Sequence, residues 1–340
     1  MKNEWLAQFE NENTKRQYEI SLKQFEEHVG ETVKTYVEDL EWGDFWEDLQ
    51  GFWKSLSDKA PKTQNNRVRV VKLFFQDHGI EIPDSEWSKF RRRRMKASRP
   101  QTQDRAGKKE EWRKIIMNMS TPQGQALYLT LLSTGARIGE ILQILKDDLD
   151  LESDPGRINL RAEYTKGGVG DRIIFLTDEA ELAIKQYLDW REGKKNSAGV
   201  SYDETSKVFP FTQQTARKML YSASERAGLD MKDRNTGRRE IHTHSTRKFF
   251  RSNCGLGEAL THAIMGHREY LDQSYLRVDP DRAAKEFKKN MGNLKIFESE
   301  ENEEITTKLK VRALKTMLEE KGVSNEEMDE LGKLLSQNID

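Results

Sequence analysis

The sequence predicts a mostly α-helical protein, with a helical N-terminal domain followed by an α-rich domain that holds a small antiparallel β-sheet. Three observations carry this. Apolar residues recur at helical spacing over most of the chain. Strand character is confined to RINLRAEYT and DRIIFLT, which flank Gly167, Gly168 and Gly170 as the two arms of a hairpin would. A length of 340 residues favours two domains, or two and a tail, over one core.

The first domain is placed at residues 1–90. In TKRQYEISLKQFEEHV, Tyr18, Leu22, Phe25 and Val29 share a helical face, and Thr14 with Gln17 forms a capping box. The aromatics of EWGDFWEDLQGFW have the spacing of helix-packing core rather than of a base-stacking strip. NNRVRVVKLFFQDHG turns Val68, Val71 and Phe75 inward and leaves Arg67, Arg69 and Lys72 to solvent or phosphate; Gly79 is its stop, with Pro83 just beyond. Residues 91–107 read as a basic linker: Arg91, Arg92, Arg93 and Arg94 open it, placed to cross the phosphates of a DNA backbone, Pro100 and Gly107 punctuate it, and apolar periodicity is almost absent.

The second domain is placed at residues 108–296. KKEEWRKIIMNM and GQALYLTLLSTG are helices, the latter ended by Gly135, and ARIGEILQIL starts another. The hairpin follows with Lys166 at its tip. Helices resume in DEAELAIKQYLDW, FTQQTARKMLYSASERAGL, HSTRKFFRSN and the region of EALTHAIMGH. Residues 297–340 form a helical tail. It begins at the acidic ESEENEE and carries apolar stripes at Val311, Leu314 and Leu318 and at Met328, Leu331 and Leu335. Gly322 serves as a C-cap, and Ser324 with Glu327 as a capping box.

Net charge is −1, yet the charges are segregated. Residues 1–50 hold 5 Lys/Arg against 13 Asp/Glu, net −8, and residues 51–120 hold 18 against 8, net +10. A basic surface gathered this way suits a polyanion. One cysteine, Cys254, excludes an intramolecular disulfide and a Cys-based zinc site. The start lacks an apolar signal core and no run approaches 18 apolar residues, so a soluble cytoplasmic protein is expected.

Arg137, Lys166, His244, Arg247, His267 and Tyr275 follow in order, and their types suit one reaction. A phosphodiester under attack accumulates charge on its non-bridging oxygens, and the planar fork of arginine donates paired hydrogen bonds to such oxygens without losing its proton. A lysine on a hairpin tip can protonate a leaving oxygen, and histidines can move protons near neutral pH. Tyrosine is a competent nucleophile whose aryl phosphate ester reverses readily. Singly, each has a plainer role: Arg137 as a helix cap paired with Glu140, Lys166 as an exposed turn residue, the histidines and Tyr275 as structural groups. The ordered set outweighs these. His242 and His262 are read as structural, and no third ligand completes a metal site with His242 and His244.

TGARIGEIL, HSTR and MGHREYLDQSY resemble the catalytic motifs of the tyrosine recombinases, or lambda-type integrases, over residues 108–277 and more loosely over 8–90. The resemblance implies that Arg137 and Arg247 are the arginine pair, Lys166 the hairpin lysine, His244 and His267 the histidine positions, and Tyr275 the nucleophile. Glu140 would orient the site, and the first domain would be a core-binding domain. Two features depart from the family: Lys248 stands where histidine is frequent, and the interval from His267 to Tyr275 is one residue short, which leaves Tyr270 as the alternative nucleophile. The family forms a 3′-phosphotyrosine on double-stranded DNA with no metal or cofactor. It works as four protomers, in some cases with accessory DNA-bending proteins. Integration or excision of a mobile element is the implied role; resolution of chromosome dimers and a non-cleaving accessory function are the alternatives.

Overall fold

The computed structural model describes residues 1–38, 40–95, 104–165, 170–195, 199, 201–234, 236–266 and 279–297. It divides into two compact units, Met1–Gln101 and Thr102–Asp340.

Unit 1 contains helices α1 (Lys2–Ala7), α2 (Glu12–Val29), α3 (Val33–Tyr36), α4 (Trp42–Ser55), α5 (Pro61–Asp77) and α6 (Asp84–Arg93). Its core is aromatic. Phe25 on α2 meets Tyr36, Phe45, Phe52 and Phe75 edge-on at 5.4–6.2 Å between centroids, the geometry that the ring quadrupole favours. The α4 aromatics are mainly core, as their spacing indicates: Phe45 and Phe52 are buried, although Trp42 is exposed. Two expectations are corrected. Asn11 caps α2, its Oδ1 accepting from the Asn13 and Thr14 amides, so Thr14 lies inside the helix. Arg91, Arg92 and Arg93 are the last turn of α6 rather than linker. Phe90, packed on Trp46, Trp53 and Trp87, holds that helix to the core. Arginine is a good helix former, and cations at a helix C-terminus complement its dipole.

Unit 2 surrounds α8 (Pro122–Thr134), whose residues from Gly124 onward are all buried. A helix that is apolar on every side needs cover all round, and α8 packs against α7 (Lys109–Met117), α10 (Asp178–Arg191), α11 (Gln213–Arg226) and α12 (Thr243–Asn253). Between α8 and α10 lie the short α9 (Ile138–Ile141) and an antiparallel sheet of β1 (Leu149–Asp150), β2 (Arg157–Leu160) and β3 (Arg172–Phe175) in the order β1-β2-β3. Ile158 pairs with Leu149 on one side and Ile174 on the other, and Leu160 pairs with Arg172. Helices α13 (Glu258–Met265) and α14 (Pro280–Asn290) both pack on β3.

β1 was not foreseen, and β2 and α9 are shorter than their patterns suggested; after α9 the chain leaves to bond residues 206–208 through Ile144 O and Lys146 N. Asp148 accepts from Leu145 N (2.8 Å), Arg161 Nε (2.7 Å) and Tyr164 Oη (2.7 Å), so it braces the chain after α9 against the 3₁₀ turn that follows β2. The described chain ends in a docked segment. Buried Ile296 and Phe297 donate their amides to the two oxygens of Glu179, at 3.0 and 3.2 Å. Burial pushes Glu179 up to about 7 despite those bonds. The tail residues named above lie outside the described residues.

Candidate active site

α8 ends in a left-handed glycine, Gly135 (φ 61°), where an added Cβ would lie 2.4 Å from the Phe250 ring. The chain thus turns tightly over α12 and delivers Arg137 to the start of α9. There the Arg137 amide donates to Glu140 Oε2 (2.8 Å) and Nη1 to Oε1 (3.0 Å). Glu140 is buried, whereas the Arg137 side chain is 46% exposed. One edge of the guanidinium is anchored and the rest faces outward, so the capping and pairing role and an exposed cation coexist in one residue.

Arg247 projects from α12 and is buried. Its Nη1 donates to Gly135 O (2.6 Å) and its Nη2 to Met265 O (2.7 Å), joining the end of α8 to the end of α13. Arginine has five N–H donors, so three remain. Burial first, then the charge of Arg137, push Arg247 down to about 10, which leaves it cationic at neutral pH. His244, one turn before Arg247 and on the same face of α12, is exposed at the helix's first turn. Partial loss of water and the neighbouring Arg247 hold it below the ordinary histidine value, so its ring is neutral at pH 7 and can accept a proton.

Sequence reasoning missed Arg172. Buried at the start of β3, it donates from Nη2 to Glu140 Oε2 (2.6 Å) and from Nε to Ile264 O (3.0 Å). Two guanidiniums therefore meet one carboxylate, and Arg247 lies close enough to feel its charge, so that three arginines share one carboxylate and leave this group with a formal excess of two positive charges. An arginine in a strand gives no periodic signal; only the packing of α13 on β3 discloses its burial. A second unforeseen cluster lies beside α12. Lys248 Nζ donates to Asp104 O (2.9 Å) and pairs with Asp104 Oδ1 (2.7 Å), while His242 Nε2 stands 3.6 Å from Oδ2. The lysine that replaces the family's histidine thus ties α12 to residue 104.

Arg137 and Glu140 are in direct contact, Arg247 binds the carbonyl of Gly135 two residues before Arg137, and His244 lies one turn before Arg247 on the same helix. Lys166, His267 and Tyr275, with Tyr270, lie outside the described residues. The chain leading to Lys166 is secured: Tyr164 bonds Asp148, and Gln143 Nε2 donates to Tyr164 O (3.1 Å). Of the anticipated DNA contacts, Arg67 donates to Gln24 Oε1, while Arg69, Arg91, Arg92, Arg93 and Arg94 are exposed. His262 is buried and stands 3.6 Å from Glu258, in keeping with a structural role. Among the described residues no group of three or more His, Cys, Asp or Glu could hold a metal ion. No helix there is long and apolar enough to cross a membrane.

Residues 108–274 match the phage integrase family. A tyrosine recombinase XerA from Saccharolobus solfataricus is 26% identical over 181 residues, 53% of this chain and 54% of that protein; the match spans about half the length of that relative. Lambda integrase (75–356), solved as a dimer bound to a COC′ core site, superposes with a TM-score of 0.57 at 14% identity, covering 79% of this chain and 93% of that one. The Tn1549 transposon integrase, solved in complex with transposon right end DNA, gives 0.52 at 16% identity, covering 85% and 97%. The two structures share this chain's fold: mostly helical, with a small three-stranded antiparallel sheet.

Proposed function

We propose that this chain, a tyrosine recombinase by its phage integrase domain, is a site-specific enzyme that cuts and rejoins double-stranded DNA through a 3′-phosphotyrosine. The observation that carries the reading is the cationic cluster. Glu140 holds Arg137 and Arg172, two backbone carbonyls hold Arg247 beside them, and among the described residues the outward edge of Arg137 and three donors of Arg247 stay uncommitted. Such a cluster favours an anion, and favours it more as charge accumulates in a transition state.

In the proposed cycle Tyr275 Oη attacks the phosphorus, the bond from phosphorus to the 5′ oxygen breaks, and Arg137 and Arg247 hold the non-bridging oxygens. The tyrosine proton passes to a histidine, for which neutral His244 is suited, and Lys166 supplies the proton that the departing 5′ oxygen takes up. His267 completes the contacts to the phosphate. The ester retains the bond energy, so a second 5′ hydroxyl can attack it and reverse the chemistry on a new strand.

We assign the enzyme to integration or excision of a mobile element, acting as four protomers on two sites of nucleoid DNA in the cytoplasm, with accessory DNA-bending proteins where the sites require them. A nicked suicide substrate built on the DNA flanking the element, resolved on a denaturing gel, tests the reading. Wild type should yield a covalent adduct and Tyr275→Phe none, with DNA binding retained. An adduct that persists in Tyr275→Phe would move the nucleophile to Tyr270. A wild-type protein that binds this DNA without ever forming an adduct would establish the non-cleaving alternative.

A further inference from the structure

We propose that Arg172 is a positioning residue for phosphate binding: through Glu140 it orients Arg137, and through the Ile264 carbonyl it fixes the end of α13 beside Arg247. This rests on the recombinase reading and deepens it.

Glu140 must hold Arg137 in one orientation, and a carboxylate does so only if it cannot itself turn. Oε1 takes Arg137 Nη1; Oε2 takes the Arg137 amide and Arg172 Nη2. Arg172 is thus the one contact among these that comes from outside the short α9 turn. It is also the rigid one. Its Cα is fixed by pairing with Leu160, and side chains alternate along a strand, so Arg172 shares the inward face of β3 with fully buried Ile174.

The other end of the fork has a second task. The last carbonyls of a helix lack partners within it, and α13 gives its final two to arginines: Ile264 O to Arg172 Nε, Met265 O to Arg247 Nη2. Gly266 follows in the left-handed region (φ 69°), and a Cβ there would come within 2.7 Å of Arg172 Cζ. The guanidinium therefore lies flat against the backbone at this turn. Lysine has the charge but not the two divergent donors, so charge alone cannot replace Arg172.

A structural ion pair would predict lost stability, and positioning predicts a loss that depends on the charge of the scissile phosphate. The test is single-turnover cleavage by the full-length protein on two suicide substrates, one with an ordinary scissile phosphate and one with a neutral methylphosphonate there. Arg172→Met and Arg172→Lys should each slow cleavage of the phosphate by about 100-fold while DNA affinity holds. Glu140→Gln combined with Arg172→Met should be no slower than the slower single variant. On the methylphosphonate the Arg172→Met defect should shrink in parallel with that of Arg137→Ala, because a neutral group gains little from an aligned cation. Should Arg172→Met fail to fold by circular dichroism, the double variant, which removes both buried charges together, carries the same comparison. An Arg172→Met enzyme within about threefold of wild type, or a defect equal on both substrates, overturns the proposal. Wild type that cleaves neither substrate would overturn the recombinase reading instead.

Discussion

At the scale of the residue, Arg247 has one task in the fold and, in the proposed mechanism, a second, both served by one fork. Two donors bind Gly135 O and Met265 O, and in the proposed mechanism the others meet the phosphate. Arg247→Lys keeps the cation but offers one nitrogen where two are needed, so single-turnover cleavage should fall by about 10²–10³, as when an oxyanion donor is removed; near wild-type rates would show that charge alone suffices. Titration gives a second outcome. Glu179, raised to about 7 from 4.5, binds more protons folded than unfolded, so its stabilising contribution is complete below about pH 4.5 and is lost as pH rises through 7. His242 and His244 are lowered, chiefly by burial, so theirs is present above 6.5 and lost on acidification. The two trends oppose each other between pH 7 and 5. In Glu179→Gln only the histidine trend remains, and thermal melts should show the variant losing more stability than wild type from pH 8 to pH 5, by up to about 3 kcal/mol. Parallel losses would remove Glu179 from the account. Arg137, Glu140, His244 and Arg247 were legible in the sequence because each sits in a short contiguous motif. Arg172 was not, since its partners are 32 and 92 positions away and a charge at a strand end ordinarily faces water.

At the scale of the element, the site depends on how α8 and α13 stop. Both end in left-handed glycines, and the carbonyls of Gly135 and Met265 are the ones that Arg247 grasps. Gly135→Ala adds two costs: a non-glycine residue in the left-handed region, about 1–2 kcal/mol, and a Cβ 2.4 Å from Phe250 Cδ1 and 2.9 Å from its Cβ. The second clash lies close to the α12 backbone, where the ring cannot swing away, so overpacking adds about 1–3 kcal/mol. Gly228→Ala is the control, with φ 69° and nothing within 4 Å, and should show only the conformational cost. Chemical denaturation of the two variants would read the difference directly; equal losses would mean that Phe250 yields without penalty. The helices of both units were readable from apolar spacing, since amphipathic faces announce themselves locally. The short elements were not. β1 has two residues, and α9 has four, after which the chain bonds residues 206–208, partners too distant in sequence to leave a local pattern. Arg91, Arg92 and Arg93 look like linker by composition and are helix because Phe90 buries the turn before them.

At the scale of the whole molecule, two hydrophobic cores share no residue, one built on Phe25 and Phe75 and the other on the buried helix α8. The boundary at Gln101 falls within a strongly basic segment, and the exposed end of α6 presents Arg91, Arg92, Arg93 and Arg94. Nucleic-acid affinity has a sequence-independent part that grows with the number of phosphates neutralised, and each phosphate contact steepens the dependence of log K on log salt by about 0.9. Replacing the four arginines by serine leaves Phe90 and its ring contacts in place, so α6 should remain folded to its anchored turn. If all four meet phosphates, the salt slope should become shallower by about 3–4, and affinity at physiological salt should fall accordingly. Adduct formation at saturating protein should stay near wild type, because Arg137, His244 and Arg247 belong to the other unit. Fluorescence titrations of a labelled duplex across a salt series measure the slope, and the suicide-substrate gel measures the chemistry. A slope that does not change would take these arginines out of the DNA interface and leave the basic segment as solvated helix end. A collapse of cleavage at saturation would instead show that the α6 end acts on the chemical step itself.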